Sequence, residues 1–402
     1  MRSLGLVSFF ADLSSETIYP LFGFFVTIVL GAPVAVLGLI EGLAEATASL
    51  AKYPFGMASD HSGRRKLFVT GGYGLAALGK LILALAFVWP LALAGRFVDR
   101  LGKGMRTAPR DALIAASSGD EERGVAFGLH RSMDTLGAVL GPLLALALIH
   151  YGVSLRTIFA LAVVPGVASV LVIVWLVRER AQTPSRVSVR PALPASRTFR
   201  WLLAGMLLFA VGNSTDMFIL LKAQVVLKGA SLATLSEKGH VLTYVILLYV
   251  LYNLVYSVAS LPLGHLSDRV GQFPVVFAGL VMFALVYAGF AAAGSLLPLI
   301  GLFAAYGLYM AATEGASKAL VTRAVGEHER ASALGLYATA TGLASFAASA
   351  VGGILWSAVA PWATFAYGAA CAALAAGVLL IGTLRGTMTA EKLGATTQEA
   401  GE

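Results

Sequence analysis

Twelve apolar segments, each long enough to cross the hydrocarbon core of a bilayer, follow one another along this sequence of 402 residues. A membrane-spanning helix needs about 20 predominantly apolar residues. Charged residues make up only 12% of the chain, which is too few to cover a soluble protein of this length. The sequence therefore predicts an all-α polytopic membrane protein. The predicted spans are 3–30, 34–54, 67–89, 91–116, 126–149, 156–177, 201–227, 241–263, 274–295, 297–322, 332–357 and 362–384.

A hydrophilic segment with six arginines and three prolines, residues 178–200, separates the sixth span from the seventh. We interpret it as a basic linker between an N-terminal six-helix bundle, 1–177, and a C-terminal six-helix bundle, 201–385, which a short tail, 386–402, follows. Loops on the linker's side carry most of the arginines between spans, and such positive charge stays cytoplasmic. The linker and both termini are therefore predicted to lie in the cytoplasm, with the spans in the cytoplasmic (inner) membrane. The net charge of +8 has this topological explanation, so nucleic acid is not an expected partner.

The two halves repeat each other in their loops. The segment PFGMASDHSG at 54–63 matches PLGHLSDRVG at 262–271, and both contain P-x-G-x-x-S-D-x-x-G at an offset of 208. The pattern E-R-x-x-x-x-G begins at Glu122 and again at Glu329, an offset of 207. A weaker match aligns DLSSE at 12–16 with GNSTD at 212–216. Duplication of a six-helix unit explains these matches.

This organisation resembles the major facilitator superfamily of secondary transporters. The family signature G-x-L-a-D-r-x-G-r-k between helices 2 and 3 corresponds to GMASDHSGRRK here, and the resemblance implies that its aspartate helps to gate the cytoplasmic side. In span 5, GAVLGP resembles the first part of G-x-x-x-G-P-x-x-G-G, a motif of exporters that work as antiporters, and we expect it to serve close helix packing and bending. The matching residues are Gly56, Asp60, Gly63, Arg64 and Arg65 with Asp268 and Arg269 of the second copy, and Gly137, Gly141 and Pro142 of span 5.

Ionisable side chains inside the spans are the second guide to function. Each costs about 2.5–3.5 kcal/mol at the bilayer centre on insertion scales, and is tolerated where it pairs or meets a water-filled cavity. They are concentrated in spans 1, 2, 4, 5, 7 and 10, and the resemblance places helices 1, 4, 7 and 10 around a central cavity. The candidates for proton coupling or substrate binding are Asp12, Glu16, Glu41, Glu45, Arg100, Asp134, Asn213, Asp216 and Glu314.

Each candidate also has a purely structural interpretation. Asp12 and Glu16 could form salt bridges to span 4 or 5, and Lys52 or Lys80 could neutralise Glu41 and Glu45. Arg100 could pair with a neighbouring acid, and Lys318 could neutralise Glu314. The polar stretch GNSTD, which ends at Asp216, could mark a broken or bent helix that lines a site.

The preferred hypothesis is a secondary transporter that works by alternating access and exports a small organic compound by proton antiport. Uptake or facilitated diffusion of an anionic metabolite is an alternative, as is export of a divalent metal held by Asp12, Glu16, Asn213 and Asp216. A non-transporting membrane receptor is the alternative of another class. An enzyme is not expected, because neither H-E-x-x-H nor G-x-S-x-G occurs. We expect no cofactor and no resident metal, with a proton as the coupling ion, and a monomer in the lipid bilayer that binds a small-molecule substrate.

Overall fold

The computed structural model describes residues 2–116, 123–177, 196–229, 238–326 and 330–385. Within these ranges every regular element is helical, so the predicted all-α class is confirmed. A π-helical turn, Phe25–Val29, continues the first helix. The α-helices are α1 Arg2–Phe24, α2 Val34–Ser62, α3 Arg65–Ala84, α4 Trp89–Ala116, α5 Arg123–His150, α6 Leu155–Leu176, α7 Arg197–Gly212, α8 Met217–Gly229, α9 Lys238–Val270, α10 Gln272–Ala292, α11 Leu296–Arg323, α12 Arg330–Ala358 and α13 Pro361–Leu384.

Each predicted span coincides with one helix, except that the seventh consists of two, α7 and α8. In the described part of the chain, ten segments are long and apolar enough to cross a membrane, with α7 and α8 counted together. Helices α1 and α4 are not among them because their polar and charged residues lower their hydropathy. Those two helices carry several of the predicted site residues.

The helices pack as two compact units. The first consists of Met1–Ser188 with Leu232–Val250, and the second of Val189–Ser231 with Leu251–Glu402. In the first unit, α1 packs against α5 and α6, α3 packs against α4 and α6, and α2 packs against α4. In the second unit, α7 packs against α12 and α13, and α10 packs against α11 and α13.

Glycines set the distance between several of these helices. A Cβ atom on Gly79 of α3 would lie 2.6 Å from the backbone nitrogen of Asp99 in α4, and one on Gly102 of α4 would lie 2.4 Å from the carbonyl oxygen of Gly72. Since real Cβ atoms do not approach backbone that closely, the backbones of α3 and α4 can come this near to each other only where one residue is a glycine. The two helices are therefore closely packed at these positions.

Aromatic rings fill the interior of the second unit. Phe283 stacks on Tyr287 at a centroid distance of 3.9 Å, and Phe209 contacts Phe283 edge-on at 4.9 Å. Tyr306 lies 5.6 Å from Tyr252. Such pairs add to the stabilisation that ring burial provides, and they place several tyrosine hydroxyls inside the bundle.

The repeated loop motif ends in a glycine with a positive φ in both copies. Gly63, which terminates α2, has φ +64°, and Gly271, which precedes α10, has φ +92°. The serine of each copy, Ser59 and Ser267, is buried. A positive φ favours glycine because other residues meet a steric penalty there.

Replacing Gly63 with valine should destabilise the protein by about 1–2 kcal/mol, because a β-branched side chain is poorly accommodated at φ +64°. Gly63→Asn is the matched control, since asparagine tolerates the left-handed region and should be affected less. Thermal unfolding of the purified protein, followed by circular dichroism in detergent, measures both. Equal losses for the two variants would contradict a conformational origin.

Candidate transport site

The side chains of Asp12 in α1 and Asp134 in α5 meet within the first unit. Their carboxyl groups lie within hydrogen-bonding reach of each other, and Ser8 Oγ donates a hydrogen bond to Asp134 Oδ1. Arg131 Nη1 is 3.7 Å from Asp134 Oδ2. Both acids are partly exposed. Two carboxyl groups this close cannot both ionise without strong repulsion, so the pair is suited to share a proton.

The glycines of the span-5 motif lie against the same part of α1. A Cβ on Gly137 would be 2.6 Å from the carbonyl oxygen of Phe9 and 3.0 Å from the Cβ of Asp12. One on Gly141 would be 2.8 Å from the Cβ of Glu16. Pro142, which is buried, lies inside α5. These glycines therefore allow α5 to contact α1 at the two turns that carry its carboxylates.

Glu16 is one turn beyond Asp12 and is also partly exposed. Tyr249, in the portion of α9 that belongs to the first unit, donates a hydrogen bond to Glu16 Oε2, and its ring lies 5.6 Å from that of Tyr19. Arg100 acts on Glu16 electrostatically from α4. The carboxylate thus has one hydroxyl donor and a nearby cation.

Glu41 forms a buried, two-pronged ion pair with Arg96. The distance is 2.7 Å from Arg96 Nε to Glu41 Oε1 and 2.9 Å from Arg96 Nη2 to Glu41 Oε2, and the residues are 4% and 6% exposed. Neither of the partners proposed from the sequence, Lys52 or Lys80, makes this bond. Each carboxylate oxygen of Glu41 thus accepts a hydrogen bond from the same arginine.

Asp99 lies among several cations in α4. Its Oδ2 is 3.6 Å from Arg96 Nη1 and 3.9 Å from Arg100 Nε. Arg100 thus pairs with a neighbouring acid, Asp99, as its structural interpretation predicts, but the distance is long. Glu45 is exposed, and Lys103, Arg100 and Lys52 act on it electrostatically.

Lys80 is a functional candidate that the sequence did not single out. It is 3% exposed, and its Nζ donates a hydrogen bond of 2.8 Å to Ser14 Oγ, which in turn donates to the carbonyl oxygen of Ala162. Asp99 and Asp12 both act on it electrostatically. Lysine is rarely buried this completely without a partner. Its burial and its electrostatic interaction with Asp12 make it part of the candidate site.

In the second unit, Asp216 lies at a break between α7 and α8. Tyr306 OH donates to Asp216 Oδ1 at 2.6 Å, and Tyr252 OH donates to Oδ2 at 3.1 Å. Asn213 Nδ2 donates to Tyr309 OH at 3.4 Å. The break that the polar sequence GNSTD suggested is present, and it places a carboxylate among tyrosine hydroxyls.

Glu314, in α11, is on the accessible side of its helix. Tyr256 OH donates a hydrogen bond to its Oε2, and Lys318 Nζ is 3.9 Å from its Oε1. The side chains of Glu314 and Lys318 are both exposed. Neutralisation by Lys318, foreseen as the structural interpretation, is therefore weak at this distance, and the tyrosine is the closer partner.

The signature loop lies at the ends of α2 and α3. Asp60 Oδ1 is 3.0 Å from Arg65 Nη2, so the acid at the end of one helix pairs with the first residue of the next. Arg64 is the residue immediately before α3, and Gly56 approaches Ala108 of α4. In the second copy of the motif, Asp268 and Arg269 are exposed near the end of α9. The gating role of Asp60 stays a prediction.

The alternative of divalent-metal export finds no coordinating cluster. Within the ranges that the structure describes, no group of three or more His, Cys, Asp and Glu side chains is placed to hold a metal ion. Glu122 and Glu329, which begin the second repeated motif, lie outside the described residues.

Known proteins are similar to this chain, two of those described below over nearly its whole length and one over part of it. A chain from Methanocaldococcus jannaschii, the uncharacterized MFS-type transporter MJ1317, is 35% identical over 380 residues, which is 94% of this chain and 93% of the relative. The multidrug resistance protein MdtH of Salmonella typhi is 30% identical over 162 residues, 39% of this chain and 40% of that protein. The crystal structure of the nucleoside transporter NupG superposes with a TM-score of 0.78, covering 94% of this chain and 98% of NupG at 15% identity.

The family model named Major Facilitator Superfamily matches residues 4–246 and again residues 229–400. Two matches agree with the duplicated six-helix unit that the loop motifs indicate. The intramembrane carboxylates, the broken seventh span and the Asp60 loop are therefore features of a membrane transporter, and the chain belongs to the Major Facilitator Superfamily.

Proposed function

We propose that the protein is a proton-coupled antiporter that exports a small organic compound by alternating access. The observation that carries this proposal is the contact between the carboxyl groups of Asp12 and Asp134. A pair that holds one proton in one state and releases it in another supplies the coupling step. Lys80 interacts electrostatically with Asp12 and can balance its charge when the proton has left.

The direction of transport is proposed from the span-5 motif. Gly137 and Gly141 hold α5 against α1 at Asp12 and Glu16, so the motif associated with exporters is in contact with the proposed proton-carrying helix. The name of MdtH, a multidrug resistance protein, agrees with export of organic compounds. We place the protein in the cytoplasmic membrane with both termini in the cytoplasm, since the arginine-rich loops lie on that side.

Replacing Asp134 with asparagine should abolish the response of transport to a pH gradient. Asp12 then has no second carboxyl group with which to share a proton, and the pair can no longer bind and release one. The assay uses proteoliposomes with an imposed pH gradient and, as probes, ethidium and uridine. Exchange of labelled for unlabelled probe without a gradient should persist, since exchange needs no net proton movement. Asp12→Asn should behave in the same way.

Asp111→Asn is the matched control, because Asp111 is a half-exposed acid that pairs with Arg110 at 2.9 Å. It should keep gradient-driven transport. Infrared spectroscopy of the purified protein gives a second readout that needs no substrate: a protonated-carboxyl band near neutral pH should be lost in Asp12→Asn and Asp134→Asn. Gradient-driven transport that survives in both single variants and in the double variant would refute the assignment.

Transport of an anionic metabolite is the second candidate. Lys103 is exposed one turn from Arg100 on α4, and Arg100 is the strongest electrostatic influence on it. Two adjacent cations at membrane depth favour a negatively charged ligand. With a labelled dicarboxylate such as succinate as the probe in the same vesicles, a facilitated carrier for anions would move it without any pH gradient, and this separates the two candidates.

A further inference from the structure

The hydroxyl of Ser8 behaves differently from two other hydroxyls on the same helix. Ser15 Oγ and Thr17 Oγ1 each donate to a carbonyl oxygen one turn back in α1, at 3.0 Å and 2.6 Å. Ser8 Oγ donates instead to Asp134 Oδ1, across the contact between α1 and α5. Ser8 is 1% exposed, so water cannot supply this bond in its place. Because a serine inside a helix can bond back to its own backbone, the bond to Asp134 indicates an acceptor stronger than a carbonyl.

An ionised carboxylate is such an acceptor, since it offers only lone pairs and its hydrogen bonds are stronger than those between neutral groups. Both oxygens of Asp134 face donors: Ser8 donates to Oδ1, and Arg131 Nη1 is 3.7 Å from Oδ2. Arg110 of α4 and His130 of α5 also act on Asp134 electrostatically. These surroundings favour the ionised form of Asp134.

Asp12, the other member of the pair, has no comparable donors. Within the part of the chain that the structure describes, Asp134 is the only group placed to form a hydrogen bond with its side chain. Of the other charged groups that act on Asp12, Glu16 disfavours its ionised form. Arg106 of α4 and Lys80 of α3 favour that form electrostatically. A protonated Asp12 can donate a hydrogen bond to Asp134, whereas an ionised Asp12 cannot.

We infer that Ser8 is a positioning residue of the carboxyl pair: its hydroxyl holds Asp134 as the ionised acceptor, so that the exchangeable proton is carried by Asp12. On release, the O–H bond of Asp12 breaks and the proton passes to water, while Asp134 keeps its charge throughout. On uptake, the same O–H bond forms again. Only one of the two carboxyl groups changes charge, so the pair carries one proton in each cycle. The use of this proton in transport rests on the proposed antiport function, whereas its place on Asp12 does not.

Infrared titration of the purified full-length protein tests the assignment in variants that keep one member of the pair. In Asp12→Asn the remaining acid is Asp134. Adding Ser8→Ala should raise the pH midpoint of its carboxyl band by about one unit, a tenfold gain in proton affinity, because ionised Asp134 loses a charge-assisted donor. In Asp134→Asn the remaining acid is Asp12, and Ser8→Ala should leave its midpoint unchanged. Equal shifts in the two backgrounds, or no shift in either, would overturn the inference.

Three further variants in the Asp12→Asn background separate hydrogen bonding from a packing effect of the substitution. Ser8→Thr keeps the hydroxyl and should keep the original midpoint. Ser8→Cys, which has a weakly donating thiol, should give a smaller shift than Ser8→Ala. Ser15→Ala is the matched control, since Ser15 Oγ bonds to the carbonyl oxygen of Ala11 in its own helix, and it should leave the midpoint unchanged. A midpoint that moves as far in Ser8→Thr or Ser15→Ala as in Ser8→Ala would refute the positioning role.

Gradient-driven transport in proteoliposomes separates this inference from the antiport proposal. In the otherwise unchanged protein, Ser8→Ala should move the acidic limb of the pH profile upward by about one unit, because Asp134 then takes up a second proton at a higher pH. If transport ignores the pH gradient while the midpoint shift is confined to the Asp12→Asn background, antiport is refuted and the proton assignment stands. If transport follows the gradient but the midpoint shifts equally in both backgrounds, antiport stands and the role of Ser8 is overturned.

Discussion

Replacing Arg96 with methionine should lower the free energy of unfolding by about 3–5 kcal/mol, because Glu41 then has a buried charge without a partner. The present pair has two hydrogen bonds of 2.7 Å and 2.9 Å between buried groups. Arg96 also lies over the rings of Tyr19 and Phe22, at 5.5 Å and 5.1 Å. The substitution therefore removes an ion pair and two cation–π contacts together.

Two controls identify the cause of that loss. Arg100→Met removes a partly exposed arginine whose nearest acid atom is 3.9 Å away, and it should cost less than about 1 kcal/mol. The double variant Glu41→Leu with Arg96→Met replaces both charges with apolar groups and should regain most of the stability. Thermal unfolding in detergent, followed by circular dichroism, provides the comparison. Equal melting temperatures for Arg96→Met and Arg100→Met would show that the buried pair has no special importance.

The architecture was predictable because its determinants are local in the sequence. Each apolar run is long enough to cross a membrane as a helix, and each predicted span contains one helix in the structure, or two in the case of the seventh. The loop motif that ends at Gly63 recurs at Gly271, and both glycines take a positive φ. The polar run before Asp216 interrupts its helix as expected, since these residues offer the backbone alternative hydrogen bonds.

Pairing between helices could not be predicted in the same way. Glu41 bonds to a residue 55 positions away, and Lys80 bonds to Ser14 across 66 positions. Such contacts depend on the rotation and depth of each helix in the bundle, which one sequence does not determine. Reasoning from charge alone therefore identified Glu41 but assigned it a lysine partner instead of Arg96.

Uncharged donors were missed for a different reason. Tyr249, Tyr252 and Tyr256 of α9 each donate a hydrogen bond to an acid, yet their span has no charge in its centre. Their spacing of three and four residues places them on one face of the helix, and that regular spacing in YVLYNLVY was the available signal. A tyrosine in a membrane helix needs a partner for its hydroxyl, so such a row predicts acceptors on the neighbouring helices.

The contact between α3 and α4 allows a second large effect to be predicted. Replacing Gly79 with alanine should destabilise the protein by about 3 kcal/mol, because the added Cβ would lie 2.6 Å from the backbone nitrogen of Asp99 and from the carbonyl oxygen of Gly95. Backbone atoms cannot move aside as a side chain can, so α4 would have to shift as a whole. That shift would displace Asp99 relative to Lys80, the residue that follows Gly79.

Gly74→Ala is the matched control on the same helix, since nothing lies within 4 Å of the position that its Cβ would occupy. Alanine has the higher helix propensity, so this variant should be neutral or more stable by up to about 1 kcal/mol. Melting temperatures of the two variants in detergent measure the difference between a close helix contact and an open helix surface. If Gly79→Ala has the same melting temperature as Gly74→Ala, α3 and α4 are farther apart than the structure places them. Lys80 and Asp99 would then be too far apart for the electrostatic interaction between them that the charge balance near Asp12 requires.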